Sequence, residues 1–346
     1  MIGNTTTIWS APLAIMILLL NSHSGNANDI YITQVGNLFD GTITQDGEDN
    51  SIHSLNTTSG YASVGGNNKT FTVTQTGNNN RAGFWTHGGN QVMSLIQDGD
   101  SNVSAMDNHG NNNDMSVDIE GDSNVTHTEI GNGGDEFNDM SLIIRGDSNN
   151  AYIEVADGDS NVIDTQIQSQ DGNTMRVVVS GDSNNIKAWQ GKHEAGNVDT
   201  DETGDNEVYW IVTGNGNTLA SYQTDDNGNG GQHIANYING DSNTVKHTQR
   251  GASDHEGYIE INGDGNDVEL LQRGNTDTQF ADIVLDDGHT VDVAQRYGSH
   301  TSNIDLTNGG GAYNLNVSQM ATTAQSYNLT GTCTNANGCA ITINQN

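Results

Sequence analysis

A four-residue unit, Gly-Asp-Ser-Asn, returns at regular intervals and constrains the fold of this chain more than any other feature. It occurs at residues 99–102, 121–124, 146–149, 158–161, 181–184 and 240–243. The last residues of related units further on, Asn243, Asp254, Asn266 and Asp277, follow one another at intervals of 11, 12 and 11 residues. Such a period indicates a repeat protein in which each unit packs on the one before it.

Short runs of alternating apolar and polar residues separate these units, for example at 115–119, 175–179, 208–212 and 258–261. Alternation with period two predicts a strand with one buried face, and Gly, Asn and Asp suit the tight turns between strands. The sequence therefore predicts an all-β fold: a β-solenoid with two strands per turn of about 23 residues, in about ten to twelve turns stacked in cross-β fashion about 4.8 Å apart. A three-sided β-helix is the alternative.

The composition fits this fold better than it fits a disordered chain. A net charge of −34 with only 32% hydrophobic residues is typical of disorder, but disordered chains are rich in proline and this chain has only Pro12. Stacked strands explain the shortage, because proline removes a hydrogen bond wherever a strand pairs on both edges. The excess of 44 acidic over 10 basic residues excludes non-specific binding of nucleic acid.

The first residues have the features of a secretory signal peptide. An apolar run at 9–20 is followed by the small-x-small pattern Gly25, Asn26, Ala27, which predicts a signal peptide over 1–27 cut after Ala27. A buried N-terminal strand or helix is the alternative, since no Lys or Arg precedes the run. The repeat domain is expected at 28–346, with an irregular insertion at about 57–69, a divergent end at about 299–346 and no transmembrane segment.

Amide side chains stand at both ends of one strand face. An Asn is followed six residues later by Gln, with an apolar residue on the same face between them, because both offsets are even. The pairs that we assign to a structural ladder are Asn184 and Gln190, Asn217 and Gln223, Asn243 and Gln249, and Asn266 and Gln272. Buried amides require hydrogen bonds, which stacked identical residues can supply. Solvated side chains on a strand edge are the alternative.

The pattern Gln-x-Gly-x-x-Asn occurs at 45–50, 75–80 and 97–102, and the later Asn184, Asn217, Asn243 and Asn266 are each followed by Gln six residues on. Together these two patterns resemble the repeat of the curlins, the subunits of bacterial curli amyloid fibres. The resemblance covers roughly 30–295. Ile or Val replaces Gln in about half of the arcs, the Gly/Asp/Asn-rich turns that connect one strand to the next. The resemblance implies a secreted structural subunit of a curli-like functional amyloid fibre on the surface of a Gram-negative bacterium, supporting biofilm matrix and adhesion. It also implies self-association, other curlin-type subunits, an outer-membrane export pore and accessory chaperones as partners.

Other residues give weaker indications. Asp98, Asp100, Asp157 and Asp159 could form weak Ca²⁺ sites, although turn chemistry also explains them. Cys333 and Cys339 enclose five residues and predict a disulfide in a secreted chain. The histidines His53, His87, His109, His127, His193, His247 and His255 have no metal-ligand spacing, so we expect them to be solvated or on strand faces.

No catalytic motif is found, so we expect no enzymatic activity and no cofactor apart from the weak Ca²⁺ sites. A polysaccharide-acting β-helix enzyme would need clustered acidic and basic residues. The alternative function is a monomeric acidic solenoid that acts as an adhesin or calcium-binding surface protein. Stacked carboxylates about 5 Å apart repel one another, so folding or fibre growth is expected to need salt or divalent cations.

Overall fold

A computed structural model describes residues 4–8, 28–30, 32–33, 39–52, 62–63, 65–131, 134–168, 171–191, 206–224, 232–251, 255–274, 280–284, 288–296, 298–305, 312–320, 323–330 and 338–345. The chain divides into two compact units, 1–164 and 165–346, and each is described by itself. Every regular element in the described residues is a β-strand.

The strands that begin in the first unit are β1 (Asn4–Ile8), β2 (Asp29–Ile30), β3 (Ile32–Thr33), β4 (Phe39–Asp46), β5 (Ser51–Ile52), β6 (Ala62–Ser63), β7 (Lys69–Thr76), β8 (Arg81–Thr86), β9 (Val92–Asp98), β10 (Val103–Asn108), β11 (Asp114–Glu120), β12 (Val125–Ile130), β13 (Asp139–Arg145), β14 (Asn150–Asp157) and β15 (Val162–Ile167).

The strands of the second unit are β16 (Thr174–Ser180), β17 (Asn185–Gln190), β18 (Glu207–Thr213), β19 (Thr218–Thr224), β20 (His233–Asn239), β21 (Thr244–Arg250), β22 (Glu256–Glu260), β23 (Asp267–Arg273), β24 (Phe280–Val284), β25 (Thr290–Arg296), β26 (His300–Asp305), β27 (Tyr313–Gln319), β28 (Gln325–Thr330) and β29 (Cys339–Gln345).

Successive strands of the first unit alternate between two parallel sheets. One sheet has the order β4-β7-β9-β11-β13, and the other β2-β5-β8-β10-β12-β14. Register is kept from turn to turn: Met115 lies opposite Met93 on one side and Met140 on the other. Strand β1 pairs antiparallel with β4, and the short β3 and β6 pair with each other beside the second sheet.

The second unit has the same arrangement, with β17-β19-β21-β23-β25-β27-β29 in one sheet and β16-β18-β20-β22-β24-β26-β28 in the other. The fold is a β-solenoid of about 10 turns with about 24 residues per turn. The predicted all-β solenoid is therefore confirmed. Two sheets, rather than three, carry the strands that the structure describes. Strands β26 to β29 continue the stack through the divergent end at 299–346.

The core of each unit lies between its two sheets. On β16, Met175, Val177 and Val179 are buried while the residues between them are partly exposed, which is the alternation expected of a strand with one inner face. The facing sheets touch directly in the second unit, where the Trp210 Nε1–H on β18 donates to Ser221 Oγ on β19 at 3.0 Å. The thin core explains why so few apolar residues suffice.

Two of the predicted domain features lie partly outside the described residues. For the signal peptide, the apolar run at 9–20 and the cleavage pattern at 25–27 both lie outside the described residues, so the signal peptide stays a prediction. Within the predicted insertion at 57–69, Lys69 already belongs to β7 and lies opposite Phe39 of β4. The register is therefore restored by residue 69.

Candidate functional site

A column of asparagines runs through the arcs of each unit. In the second unit the backbone N–H of Asn217 donates to Asn184 Oδ1 at 2.9 Å, and that of Asn243 donates to Asn217 Oδ1 at 2.9 Å. The backbone N–H of Asn266 repeats this bond to Asn243 at 2.9 Å. In the first unit a second column with the same bonds runs through the arcs that lead to the strands of the other sheet, β5, β8, β10, β12 and β14; its members are Asn50, Asn80, Asn102, Asn124 and Asn149.

Each asparagine also closes the arc of the turn that follows. Asn217 Nδ2 donates to the carbonyl of Gly240 at 2.9 Å and to Asn184 Oδ1 at 3.0 Å, and its side chain is fully buried. Buried amides are costly unless paired, and here both ends of the side chain are used. The bonds differ in detail from a simple side-chain ladder, because Oδ1 accepts from a backbone amide as well as from a side chain.

Glutamines form a second buried column, at the other end of the strand. Gln190 Nε2 donates to Gln223 Oε1 at 3.1 Å, Gln223 to Gln249 at 3.1 Å, and Gln249 to Gln272 at 3.0 Å. The structure thus brings together all eight residues of the predicted ladder.

In the first unit the glutamine column is shorter. Gln45 donates to Gln75 at 2.7 Å and Gln75 donates to Gln97 at 2.8 Å. Ile119 then takes the next place, opposite Gln97. Replacement of Gln by Ile therefore ends the amide column without breaking the register of the strands.

The glutamine pattern reaches the last described strand. Gln319 Nε2 donates to Gln345 Oε1 at 2.8 Å across β27 and β29. Among the described strands, β29 pairs with β27 alone and so presents one unpaired edge. The strand has no charged residue and no proline. A flat, uncharged edge of this kind is a template for another strand.

The aspartates of the arcs bind backbone amides. Asp100 Oδ1 accepts the N–H of Asn78 at 2.6 Å, and Asp159 Oδ1 accepts the N–H of Glu136 at 2.7 Å. Asp98 and Asp157 end their strands with exposed side chains. None of these four belongs to a metal-sized group of three ligands among the described residues. Their geometry is that of stacked turns, so turn chemistry explains them better than Ca²⁺ binding.

The outer face of the second sheet in the first unit carries a group that sequence reasoning missed. Donor atoms of Asp107, His109 and Glu129 lie within 4.8 Å of one another. His109 Nε2 is 2.8 Å from Asp107 Oδ1, and His127 Nε2 is 3.4 Å from Glu129 Oε2. The clue in the sequence was the turn length rather than a linear motif: Asp107 and Glu129 are 22 residues apart and lie opposite each other on β10 and β12.

The histidines do not share one environment. His247 is on a strand face, as expected, but that face is the buried inner face of β21; His255, just before β22, is buried too. His87 and His127 lie on the outside, as expected. His53 and His193 lie outside the described residues. Cys339 is disulfide-bonded, while Cys333 also lies outside them.

A helix capable of crossing a lipid bilayer is not found in the part of the chain that the structure describes. Comparison with known proteins adds no family assignment to this geometry: no protein-family model matches the chain, and no curated protein matches it either.

Proposed function

We propose that this protein is a secreted structural subunit of a curli-like amyloid fibre, which supports biofilm matrix and adhesion on the surface of a Gram-negative bacterium. The observation that carries the proposal is the amide pattern that reaches an unpaired, uncharged edge at β29. Each turn of the solenoid binds the next through in-register strand pairing and through hydrogen bonds between Asn and Gln side chains. A second copy can use the same chemistry at the open edge.

The first turn offers groups that match this edge once the predicted signal peptide is removed, because β1, which pairs with the outer edge of β4, lies within that segment. Asn28 Oδ1 accepts the backbone N–H of Asn50 at 2.9 Å, so the asparagine column begins at the residue that the predicted cut would leave first. Gln45 begins the glutamine column of the first unit. A contact between the last turn of one copy and the first turn of another is heterologous and does not close, which generates a filament.

The partners proposed for this function are further copies of the chain and other curlin-type subunits. The resemblance of the Gln-x-Gly-x-x-Asn repeats to curlins also supports export through an outer-membrane pore with accessory chaperones. These partners follow from the proposed family and from the predicted signal peptide.

Proline at position 342 is expected to stop fibre growth. In β29 the backbone N–H of Cys339 and the carbonyl of Gln345 face β27. Because strand residues alternate in direction, the N–H of Thr342 faces the open edge. Thr342→Pro removes one N–H from that edge and leaves the bonds to β27 in place. We expect elongation from preformed seeds, followed by electron microscopy, to fall by at least about tenfold.

Thr342→Ala is the matched control, because it changes the same exposed side chain and keeps the N–H. It should elongate seeds at the wild-type rate, and wild-type fibres should give a meridional reflection near 4.7 Å. Growth of the proline variant at the wild-type rate would contradict the role of the β29 edge. A wild-type chain that stays monomeric at all salt concentrations would contradict the fibre and favour the monomeric adhesin.

Fibre growth is also expected to accelerate with salt. The arc aspartates Asp100, Asp122 and Asp147 stack on successive turns: the backbone N–H of Asp100 donates to Asp122 Oδ1 at 2.6 Å, and that of Asp122 donates to Asp147 Oδ1 at 2.7 Å. With a net charge of −34, approaching copies repel each other unless the charge is screened. Lag times should shorten from low salt with chelator to millimolar calcium. Identical kinetics in the two conditions would show that repulsion between copies does not limit assembly.

A further inference from the structure

The outer face of β10, β12 and β14 carries a column of acidic side chains on neighbouring strands. Asp107 lies opposite Glu129, and Glu129 lies opposite Glu154. Like charges directly opposite each other destabilise a sheet. Glu154 accepts a hydrogen bond from the Tyr152 hydroxyl at 2.7 Å, whereas the groups beside Asp107 and Glu129 are imidazoles.

Compensation by a basic residue occurs elsewhere in the same unit. Asp118 on β11 is paired with Arg145 at 2.5 Å, and Glu120 is paired with the same guanidinium at 2.9 Å. Within the described residues, no Lys or Arg forms an ion pair with Asp107 or Glu129. Their nearby partners are imidazoles, those of His109 and His127. Imidazole is a good ligand for metal ions when it is neutral.

We propose that Asp107, His109 and Glu129 form a surface site for one divalent transition-metal ion of the zinc class. One imidazole nitrogen and two carboxylate oxygens are a ligand set that suits Zn²⁺, which takes three protein ligands and water in open sites. Ca²⁺ prefers six to eight oxygens and gains little from imidazole. The ligand types therefore distinguish this site from the weak Ca²⁺ sites considered for the arc aspartates.

Small side-chain rotations are enough to bring the three ligand atoms to the spacing that a single zinc ion requires. Donor atoms that share a zinc ion lie at most about 4 Å apart, because each lies about 2 Å from the metal. The three donors already lie within 4.8 Å. All three side chains are partly exposed, at 31% for Asp107, 23% for His109 and 29% for Glu129, so an ion can enter from solvent.

The surroundings hold the ligands in place. The ring of His109 packs 5.4 Å from that of His87 and 6.4 Å from that of Trp85, and the ring of His127 stacks on Tyr152 at 4.9 Å. Asp107 and Glu129 lie opposite each other on neighbouring strands, so a bound cation would offset the repulsion between the two carboxylates. Strands on either side keep the ligand spacing fixed.

The test is a calorimetric titration of Zn²⁺ into the full chain and its variants. His109→Ala removes the imidazole, and Glu129→Gln removes one carboxylate while keeping its shape. We expect the tightest zinc site, one per chain, to weaken by at least about tenfold in each variant, since each loses a direct ligand. Circular dichroism should be unchanged, because both side chains are on the outer face.

The second unit offers a matched control. His233 Nδ1 lies 3.1 Å from Glu207 Oε2, an exposed imidazole–carboxylate pair outside any group of three ligands among the described residues. His233→Ala and Glu207→Gln change charge and histidine count in the same way and should leave the tightest site intact. Wild-type zinc affinity in His109→Ala or Glu129→Gln would overturn the proposal. Equal losses in the controls, or displacement of zinc by equimolar Ca²⁺, would do the same by indicating diffuse attraction to an acidic chain.

Discussion

Replacing Gly121 with alanine is expected to destabilise the first unit by about 3 kcal/mol or more, whereas the same change at Gly134 should have an effect below about 1 kcal/mol. Gly121 opens the arc between β11 and β12 with φ of 125°, a conformation that side-chain-bearing residues rarely adopt. A carbon added there would also collide with the carbonyl oxygen of Gly146 in the next turn.

The collision cannot be relieved by moving one turn alone. The Gly146 carbonyl accepts the Asn124 Nδ2–H at 2.8 Å, so displacing that carbonyl also loosens the buried asparagine column. The backbone N–H of Gly146 donates to the carbonyl of Glu120 at 3.0 Å. In a stack, each turn is stabilised by its neighbours, so the damage spreads to the strands on both sides.

Gly134 is a suitable control, because an added carbon there meets nothing within 4 Å and its φ is not in the left-handed region. Urea denaturation of the two variants gives the change in the free energy of unfolding. Hydrogen exchange should show faster opening of β11 and β13 only for Gly121→Ala. Equal stability of the two variants would mean that the arcs tolerate side chains and that glycine is not required for stacking.

The fold could be predicted because its information is periodic. A single Gly-Asp-Ser-Asn unit is ordinary turn chemistry, but its return at 99, 121 and 146, at intervals of 22 and 25 residues, sets the length of the solenoid turn. The alternation on β16 then assigns the inner face. The ladder residues could also be predicted from the sequence, because an offset of six residues places Asn184 and Gln190 on the same face of a strand. The turn residues, the alternation within strands and the repeat period all predict the same fold.

The acidic–histidine group escaped prediction because its members come from two strands. Asp107 and Glu129 become neighbours only through the pairing of β10 with β12. His109 joins them from the residue after β10. A search for linear ligand spacing cannot find such a group. Once the turn length at that place is known to be 22 residues, the same search applied across turns would find it.

The buried position of His247 also could not be read from the sequence. Its neighbours in the column are Ser221 on one side and Leu270 on the other, so the column is of mixed character. Space for the imidazole comes from the opposite sheet, where a side chain on Gly257 would collide with the ring. His247 and Gly257 are complementary in volume, and the relation appears only when the two sheets are packed together.

His247 is expected to make the second unit lose stability as the pH falls from about 6.5 towards 3. Burial lowers its pKa to about 3, hydrogen bonding to Gln272 opposes this, and His233 and His255 add to the lowering. The unfolded chain takes up a proton below about pH 6.5 and the folded chain does not, so stability present at neutral pH is lost through that window. At about 1.4 kcal/mol per pKa unit, the full loss is on the order of 5 kcal/mol.

His247→Leu should remove this dependence, because leucine already occupies the next place in the column at Leu270. Between about pH 4 and 6, its free energy of unfolding should fall by up to about 1.4 kcal/mol less per pH unit than that of the wild type. His87→Leu is the control, since its imidazole is exposed. The free energy of unfolding of this control should fall with pH as steeply as that of the wild type. The carboxylates, which also titrate in this range, are the same in all three chains. If wild type and His247→Leu lose stability at the same rate as the pH falls, the buried imidazole gains its proton as easily as an exposed one, contrary to the effect expected of its complete burial.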